Sequence, residues 1–438
     1  MNKTKQVLFH VALFLVTVSL LYAFLVLASA IPNEAIYSNM EKSALSYKEK
    51  EPFSFEDGEK LCGVSDNYAD TILLNISWNI GKGDPVRSAI DTKYYDGQQL
   101  GESLGFYLAL TDESIMPNKD YTRYPHGSAM FIRVLHLFTD VNGVKLIGFI
   151  SVLFLAALCG LILVKYKHYG LCVAFVLSIL FSGVLNIRLS LEYIPAFVVG
   201  FLMSFLYLVF ERHGDAPMTY LSVVGGALIA FFDFLTVETV TLLLPLILVI
   251  SVRTAEKRLG ELNKNLILIA KCSVCWILSY VATFVSKWSL ASIICGENKF
   301  VSAFESASER FSGSLDATVN VGGLLQVVLA PVANLSTLFG AAQRVELPRV
   351  VFVLLVCVMV LGSLFYLFKS ENQNKNVTYL LMLLGSVVFL RYIVLNNHSY
   401  LHEFFTYRAL ISPIMAVFSA MILNMSFPEN KKKRVKKK

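Results

Sequence analysis

Ten long apolar runs constrain this chain of 438 residues more than any other feature. A helix needs roughly 20 apolar residues to cross the hydrocarbon core, and in lipid only helices and closed barrels satisfy their backbone polar groups. The runs are too continuous for the alternating pattern of barrel strands. We therefore predict an all-α polytopic membrane protein with about ten transmembrane helices. The runs are 7–30, 141–164, 170–185, 192–210, 218–234, 237–252, 266–288, 350–368, 377–395 and 408–424.

The positive charges divide the connecting segments into two groups. Lys and Arg concentrate in alternate connections and in the last eight residues, 431–438, of which seven are basic, whereas 234–238 and 396–405 carry none. Positively charged loops stay in the cytoplasm. We therefore predict a multi-pass plasma membrane protein with cytoplasmic N- and C-termini. Next to a membrane span, the basic tail is typical of contact with anionic lipid and not with nucleic acid.

The same pattern divides the chain into one transmembrane domain, 1–430, and the cytoplasmic tail. The domain carries a first outer loop, 31–127, and a second, 289–346. Ala28-Ser29-Ala30 is similar to a signal-peptide cleavage site, but the apolar run before it is longer than usual for such a peptide, which favours a retained anchor. The first loop holds amphipathic stretches at 69–80 and 101–110, which we expect to form helices at the membrane surface.

Acidic residues of the first loop are the candidates for catalysis. Asp66 and Asp70 are four residues apart and would share one helix face, either as cap and first-turn residues or as catalytic or metal-linked carboxylates. Cys62 and Cys295 both fall in predicted outer loops, so a disulfide between them stays open.

Three further polar clusters map to the predicted outer face, at 121–127, 231–238 and 397–408. Arginine at a membrane surface suits bidentate phosphate binding, and intramembrane charges are functional candidates. The two histidines at 398 and 402 lack the order of a zinc helix, so an anionic headgroup or phosphate is the favoured ligand. The candidate binding residues are Arg123, Tyr124, His126, Asp233, His398, His402 and Arg408.

Two other charged positions have simpler interpretations. Arg188 and Glu192 are four residues apart, which predicts a helical ion pair. Arg391 lies inside the ninth run, where it is either functional or reaches the outer interface with its long side chain.

The chain resembles the GT-C superfamily of membrane glycosyltransferases in three features. They are a first span, a long acidic outer loop with amphipathic helices, and a Tyr-Pro turn at Tyr124-Pro125-His126-Gly127. Residues 232–236 and 398–402 are similar to motifs of bacterial proteins of this type. The resemblance implies a polyprenyl-phosphate-linked sugar as donor and a glycan, lipid or protein of the cell envelope as acceptor. It implies Glu34, Asp66 or Asp70 as the base. Arg123, Arg408 or a histidine would stabilise the departing phosphate.

Other functions stay open at this point. A transporter or lipid flippase would place its polar residues near the middle of the spans, whereas here they gather at one face. A non-catalytic membrane assembly subunit would explain the large loops equally well. No metal-ligand spacing is present, and a divalent metal ion as cofactor stays open. Glycosylation sequons occur at Asn75 and Asn334.

Overall fold

The structure is a computed structural model that describes residues 3–56, 58–312, 323–343, 346–369 and 375–424. The described residues are mainly helical, and each of the ten predicted runs coincides with a helix. Among the described residues, six helical segments are long and apolar enough to cross a membrane, by length and composition. They are Thr4–Ser29, Val141–Lys165, Leu191–His213, Leu262–Cys295, Lys375–Val394 and Glu403–Asn424. The prediction of an all-α membrane fold is confirmed at this level.

The first loop folds into a compact cap of helices and two short sheets. Its elements are α2 (Asn33–Tyr47), β1 (Phe53–Phe55), β2 (Val64–Asp66), α3 (Asn67–Asn79), α4 (Pro85–Ile90), β3 (Lys93–Tyr94), α5 (Gly101–Thr111), β4 (Lys119–Asp120) and α6 (Ser128–His136), after the N-terminal helix α1 (Lys3–Ser29). Strand β1 pairs antiparallel with β2, and β3 with β4. The predicted helices at 69–80 and 101–110 are present as α3 and α5. Helix α3 is buried on almost every side, so it is a core element of the cap.

Arg133 of α6 fastens the cap to the first span. Its guanidinium is buried and donates to the Ala28 carbonyl at 2.9 Å, to the Ser77 carbonyl at 2.7 Å and to Asn33 Oδ1 at 2.9 Å. A buried cation is tolerated where its donors meet acceptors in this way. One side chain of α6 therefore holds together the ends of α1 and α3 and the start of α2.

The remaining helices form the bundle. They are α7 (Val141–Lys165), α8 (Tyr169–Phe181), α9 (Ile194–Phe210), α10 (Ala216–Phe232), α11 (Val240–Ala255), α12 (Leu262–Cys295), α13 (Lys299–Ser312), α14 (Gly323–Leu338), α15 (Leu347–Lys369), α16 (Lys375–Val394), α17 (Asn396–Leu401), α18 (Glu403–Thr406) and α19 (Ile411–Asn424). Helix α11 is central, with every residue from Val240 to Arg253 buried. Helices α10 and α12 approach closely at Gly226, where a Cβ atom would lie 2.4 Å from the Trp276 carbonyl oxygen.

The two ends of the bundle differ in their chemistry. Helix α9 begins beside Glu192 at the end that carries the cap, here called the cap end, and finishes at Phe210 at the opposite end. At that opposite end Glu211 pairs with Arg258 at 2.7 Å, and Glu256 pairs with Arg212 at 2.5 Å. These pairs connect the turns that follow α9 and α11.

The region predicted as the second outer loop contains more structure than a loop. Helix α12 continues to Cys295, and α14 is an apolar helix that packs on α16 and α17. Asn334 of α14 is fully buried, donates to the Ser399 carbonyl at 2.8 Å and accepts from Thr406 Oγ1 at 2.7 Å. Asn75, a second sequon residue, is buried too, so the side chains of Asn75 and Asn334 are not accessible to a glycan. Residues 313–322 of this region and the basic tail 431–438 lie outside the described residues.

Candidate functional site

A cavity of about 310 Å³ at the cap end brings the predicted polar clusters together. Its wall combines residues of the cap, the turn before α9, the α10–α11 hairpin and the α17–α18 segment. Its aromatic residues are Phe53, Tyr68, Tyr121, Tyr124, Phe234 and Phe405. Its ionisable side chains, apart from the tyrosines, are Asp66, Arg123, His126, Glu192, His398 and His402. Six of the ten predicted site residues therefore stand on this cavity or contribute to it, although they come from distant parts of the chain.

Asp66 occupies the N-terminus of α3 and turns its carboxyl group toward the cavity. Its Oδ1 accepts from the backbone N–H of Ala69 at 2.8 Å, as an N-cap residue does. The side chain is only 4% exposed. Burial raises the pKa of the Asp66 carboxyl to about 7, and the Ala69 hydrogen bond opposes that rise. The predicted capping role and the predicted catalytic position are therefore compatible in this one residue.

Glu192 is the partner of Asp66 and was not predicted as a site residue. It lies in a short 3-10 turn, Leu191–Tyr193, and is 8% exposed. The predicted ion pair with Arg188 is wrong, because the extended backbone at Ser190 breaks the helix between them and Arg188 points to the exterior. Asp66 and Glu192 line the same cavity, and their carboxyl groups lie within reach of a hydrogen bond between them. Such a bond requires one of the two groups to hold a proton.

Arg123 stands where the cavity meets the membrane helices. Its guanidinium lies over the Tyr121 ring, 4.1 Å from the centroid, and its carbonyl accepts from Trp288 Nε1 at 3.0 Å. The buried Nε has no hydrogen-bond partner among the described residues, and no carboxylate of that part of the chain pairs with the side chain. Tyr121 and Tyr124 engage other donors of the guanidinium. Arg123 is therefore a cation without a described carboxylate partner, and its Nε donor is available to an anion.

His126 and Gly127 hold the Tyr-Pro turn against the end of α10. A Cβ atom at Gly127 would lie 2.2 Å from the Phe231 ring, and the Gly127 N–H donates to the Phe231 carbonyl at 2.9 Å. His126 has a left-handed backbone, with φ of 56°, and its Nε2 donates to the Tyr121 carbonyl at 2.7 Å. Burial lowers the pKa of His126 to about 3, so the ring is neutral. Its Nδ1 is then an acceptor, buried and without a partner among the described residues.

His398 and His402 lie on adjacent turns at the edge of the same cavity. Their ring centroids are 4.8 Å apart, and His402 stacks on Phe405 at 5.2 Å. Within the described ranges, no group of three His, Cys, Asp or Glu side chains is arranged to hold a metal ion. The pair is placed to contact a polar ligand.

Asp70 does not face the cavity. Its Oδ1 accepts from Ser190 Oγ and from the Leu191 N–H, both at 2.7 Å. Its Oδ2 pairs with Lys145 Nζ and accepts from Tyr47 Oη, both at 2.6 Å. With every lone pair engaged, Asp70 joins the cap to α7 and to the turn that carries Glu192.

Three other predicted site residues do not line the cavity. Glu34 is exposed in the first turn of α2. Asp233 caps the α10–α11 hairpin, where Oδ2 accepts from the Thr236 N–H at 2.9 Å and Oδ1 from the Thr236 hydroxyl. Arg408 is buried over the Tyr193 ring at 4.3 Å and donates to the Gly183 carbonyl at 3.2 Å. The contacts of Asp233 and Arg408 fit structural roles. Cys62 and Cys295, both described, are not bonded to each other.

A second cavity, of about 460 Å³, opens between α12 and α16 beside the hairpin. Its wall is mainly apolar and includes Trp276, Phe284 and Leu390. Arg391 also reaches it, but its Nε donates to Glu238 Oε1 at 3.0 Å, so that charge is neutralised inside the protein. Arg123 and Tyr124 line both cavities. A polar chamber and an apolar groove therefore meet at a cation that no described carboxylate neutralises.

Comparisons of the chain with models of known protein families, with curated proteins and with solved structures find no match.

Proposed function

We propose that this chain is an integral membrane glycosyltransferase that moves a sugar from a polyprenyl-phosphate donor to an acceptor of the cell envelope. In this proposal ten helices span a bacterial plasma membrane, the cap end lies outside, and both termini lie in the cytoplasm. The acceptor is a hydroxyl group of a glycan, lipid or protein. The resemblance to the GT-C superfamily gives the reaction class, and the two cavities give its chemistry a location.

The meeting of the two cavities at Arg123 is the observation that carries the proposal. A polyprenyl-phosphate sugar has an apolar chain, one anionic phosphodiester and a polar ring in a row. An apolar groove, a cation and a polar aromatic-lined chamber follow one another in the same order along the protein. Guanidinium suits phosphate because its parallel N–H groups match two phosphate oxygens.

The reaction would be a direct displacement at the anomeric carbon. The acceptor oxygen forms a bond to that carbon while the bond from the carbon to the phosphate oxygen breaks, and the electron pair leaves with polyprenyl phosphate. The proton of the acceptor hydroxyl passes to Asp66, whose pKa of about 7 suits a base near neutral pH. Arg123 would stabilise the charge that develops on the departing phosphate.

The positions of the charges favour an enzyme over a transporter. Both cavities lie at the cap end, and the charged pairs near them, Glu238–Arg391 and Asp70–Lys145, are closed within the protein. A transport path would need polar groups toward the middle of the spans.

Sugar transfer by the purified full chain in liposomes tests the proposal. Labelled polyprenyl-phosphate sugars serve as donors, and wild type is compared with Asp66→Asn and Arg123→Gln. We expect Asp66→Asn to lower turnover by about 100-fold or more, the range of general base catalysis. Arg123→Gln should weaken donor binding by about tenfold or more, because a charge-assisted hydrogen bond is lost.

Arg188→Gln is the matched control, since Arg188 is exposed and lies away from both cavities. It should retain wild-type transfer and donor binding. Equal losses in Arg188→Gln and Arg123→Gln would contradict the role of Arg123. Absence of transfer from every donor, together with substrate-dependent flux into sealed vesicles, would replace the enzyme with a transporter.

A further inference from the structure

We infer that Asp66 and Glu192 share one proton and act as a unit, in which Asp66 is the base and Glu192 is the positioning acid that donates a hydrogen bond to it. The inference rests on the proposed function for the identity of the reaction. The carboxyl pair itself rests on the geometry of the first cavity. It adds Glu192 to the proposed site. The spacing of Glu192 along the chain predicts an ion pair with Arg188 instead.

The geometry of the pair requires the proton. Both side chains are at least nine-tenths buried, line the same cavity and lie within reach of a hydrogen bond to each other. Two ionised carboxylates have no hydrogen to place between them and repel one another. In that state Glu192 Oε1 has no donor among the described residues. One proton removes the repulsion and supplies the missing hydrogen bond.

The surrounding charges do not replace that proton. Asp70 adds negative charge near both groups, and Lys145, whose charge acts on Asp66, is already paired with Asp70 at 2.6 Å. From the hairpin, Asp233 adds a further negative charge near Glu192. The other ionisable side chains that face the pair are Arg123, His126, His398 and His402 across the cavity and Arg408 through Tyr193. Among the described residues, no Lys or Arg forms an ion pair with Asp66 or Glu192.

An independent feature of the cavity indicates a ligand at this position. His126 is 1% exposed and its Nδ1, an acceptor, has no partner within the described part of the chain. Buried acceptors are almost always satisfied, so an exception marks a place where a ligand or water binds. A ligand hydroxyl group is the donor that this acceptor lacks. Asp66 then faces the same ligand as its proton acceptor.

The shared proton would set the orientation of the base. Ala69 N–H and the Glu192 proton fix two directions around the Asp66 carboxylate, which leaves the remaining lone pairs for the acceptor hydroxyl. The active form of the pair then has a single proton. A second proton neutralises Asp66, and loss of the only proton leaves the base without its positioning donor.

The pH profile of transfer tests this arrangement with two variants. Glu192→Gln still donates a hydrogen bond but cannot ionise, so we expect the acid limb to stay in place and the alkaline limb to disappear. Glu192→Leu removes the donor, so the acid limb should move to higher pH by about one unit. If both variants lose activity and neither limb of the pH profile moves, Glu192 has a purely structural role.

Infrared difference spectroscopy gives a readout that does not depend on transfer. At about pH 8, where exposed carboxyl groups are ionised, wild type minus Glu192→Gln should contain one carboxylic acid band that shifts in D₂O. Glu113→Gln is the matched control, since Glu113 is exposed in the cap, and it should leave both the band and the pH profile unchanged. Size-exclusion chromatography and thermal unfolding establish that each variant is folded.

The two measurements separate the two proposals. If Glu192→Gln loses the carboxylic acid band and wild type transfers sugar from no donor, the shared proton is supported and the proposed glycosyltransferase activity is contradicted. Transfer by wild type with no such band, and with an unchanged profile in Glu192→Gln, would overturn the pair and retain the enzyme.

Discussion

Arg123 Nε and His126 Nδ1 are two buried polar atoms without hydrogen-bond partners among the described residues, and both side chains line one cavity. Each such atom costs about 1–3 kcal/mol of folding free energy. A fold that places two of them around one space gives up stability there. A bound ligand that supplies one acceptor and one donor would recover it.

His126 makes a prediction about pH at the residue scale. Its pKa is about 3 in the folded protein and about 6.5 when unfolded, so the unfolded state binds more protons below about pH 6.5. Stability should therefore fall as the pH is lowered from about 6.5 toward 3, by up to about 1.4 kcal/mol per pH unit. His126→Gln keeps a donor for the Tyr121 carbonyl but cannot be protonated, so its thermal midpoint should depend less on pH.

His213→Gln is the control for this measurement, because His213 is exposed at the opposite end of the bundle. Its midpoint should follow wild type at every pH. A His126→Gln midpoint that falls as steeply as that of wild type would contradict the buried neutral histidine.

At the scale of elements, α3 and α7 are held together by the buried pair of Asp70 and Lys145. Removal of one member leaves the other charge buried without its partner, which typically costs 3–5 kcal/mol. We therefore expect Asp70→Asn and Lys145→Met each to lower the thermal midpoint strongly. The double variant should recover part of that loss, because neither charge is left alone.

Asp96→Asn is the matched control for the buried pair. Asp96 pairs with Lys119 at 2.9 Å, but the lysine is more than half exposed, and surface pairs contribute about 0–1 kcal/mol. Its midpoint should change little. A similar small change in Asp70→Asn would contradict the anchoring role of Asp70 and make it a candidate base again.

For the whole molecule, the proposed topology places the cap end and the opposite end on different sides of the membrane. Glu113 is exposed in the cap and Glu261 is exposed at the start of α12. In a chain whose native cysteines are replaced, an impermeant maleimide added to intact cells should label Glu113→Cys and not Glu261→Cys. Both sites should react once the membrane is opened. Labelling of both sites in intact cells would contradict the topology.

The candidate site was partly predictable because several of its residues carry local signals. Asp66 precedes an amphipathic stretch, and Arg123 and His126 flank a Pro-Gly turn beside an apolar run. Glu192 was not predicted, because a four-residue spacing has meaning only if the intervening backbone is helical. The extended conformation of Ser190 is set by the contact of its hydroxyl with Asp70, 120 residues away in the chain.

The sequence by itself determined the class of fold and the positions of the ten apolar runs that coincide with helices, since hydropathy and charge act locally along the chain. It also predicted α3 and α5 within the cap. Tertiary structure decided which of two neighbouring aspartates faces the cavity: Lys145, Tyr47 and Ser190 engage Asp70, and this leaves Asp66 beside Glu192. It likewise decided that α14 is a packed helix, because its polar Asn334 finds partners in α17 and α18. Partners distant in sequence satisfy these polar groups, and local pattern carries no information about them.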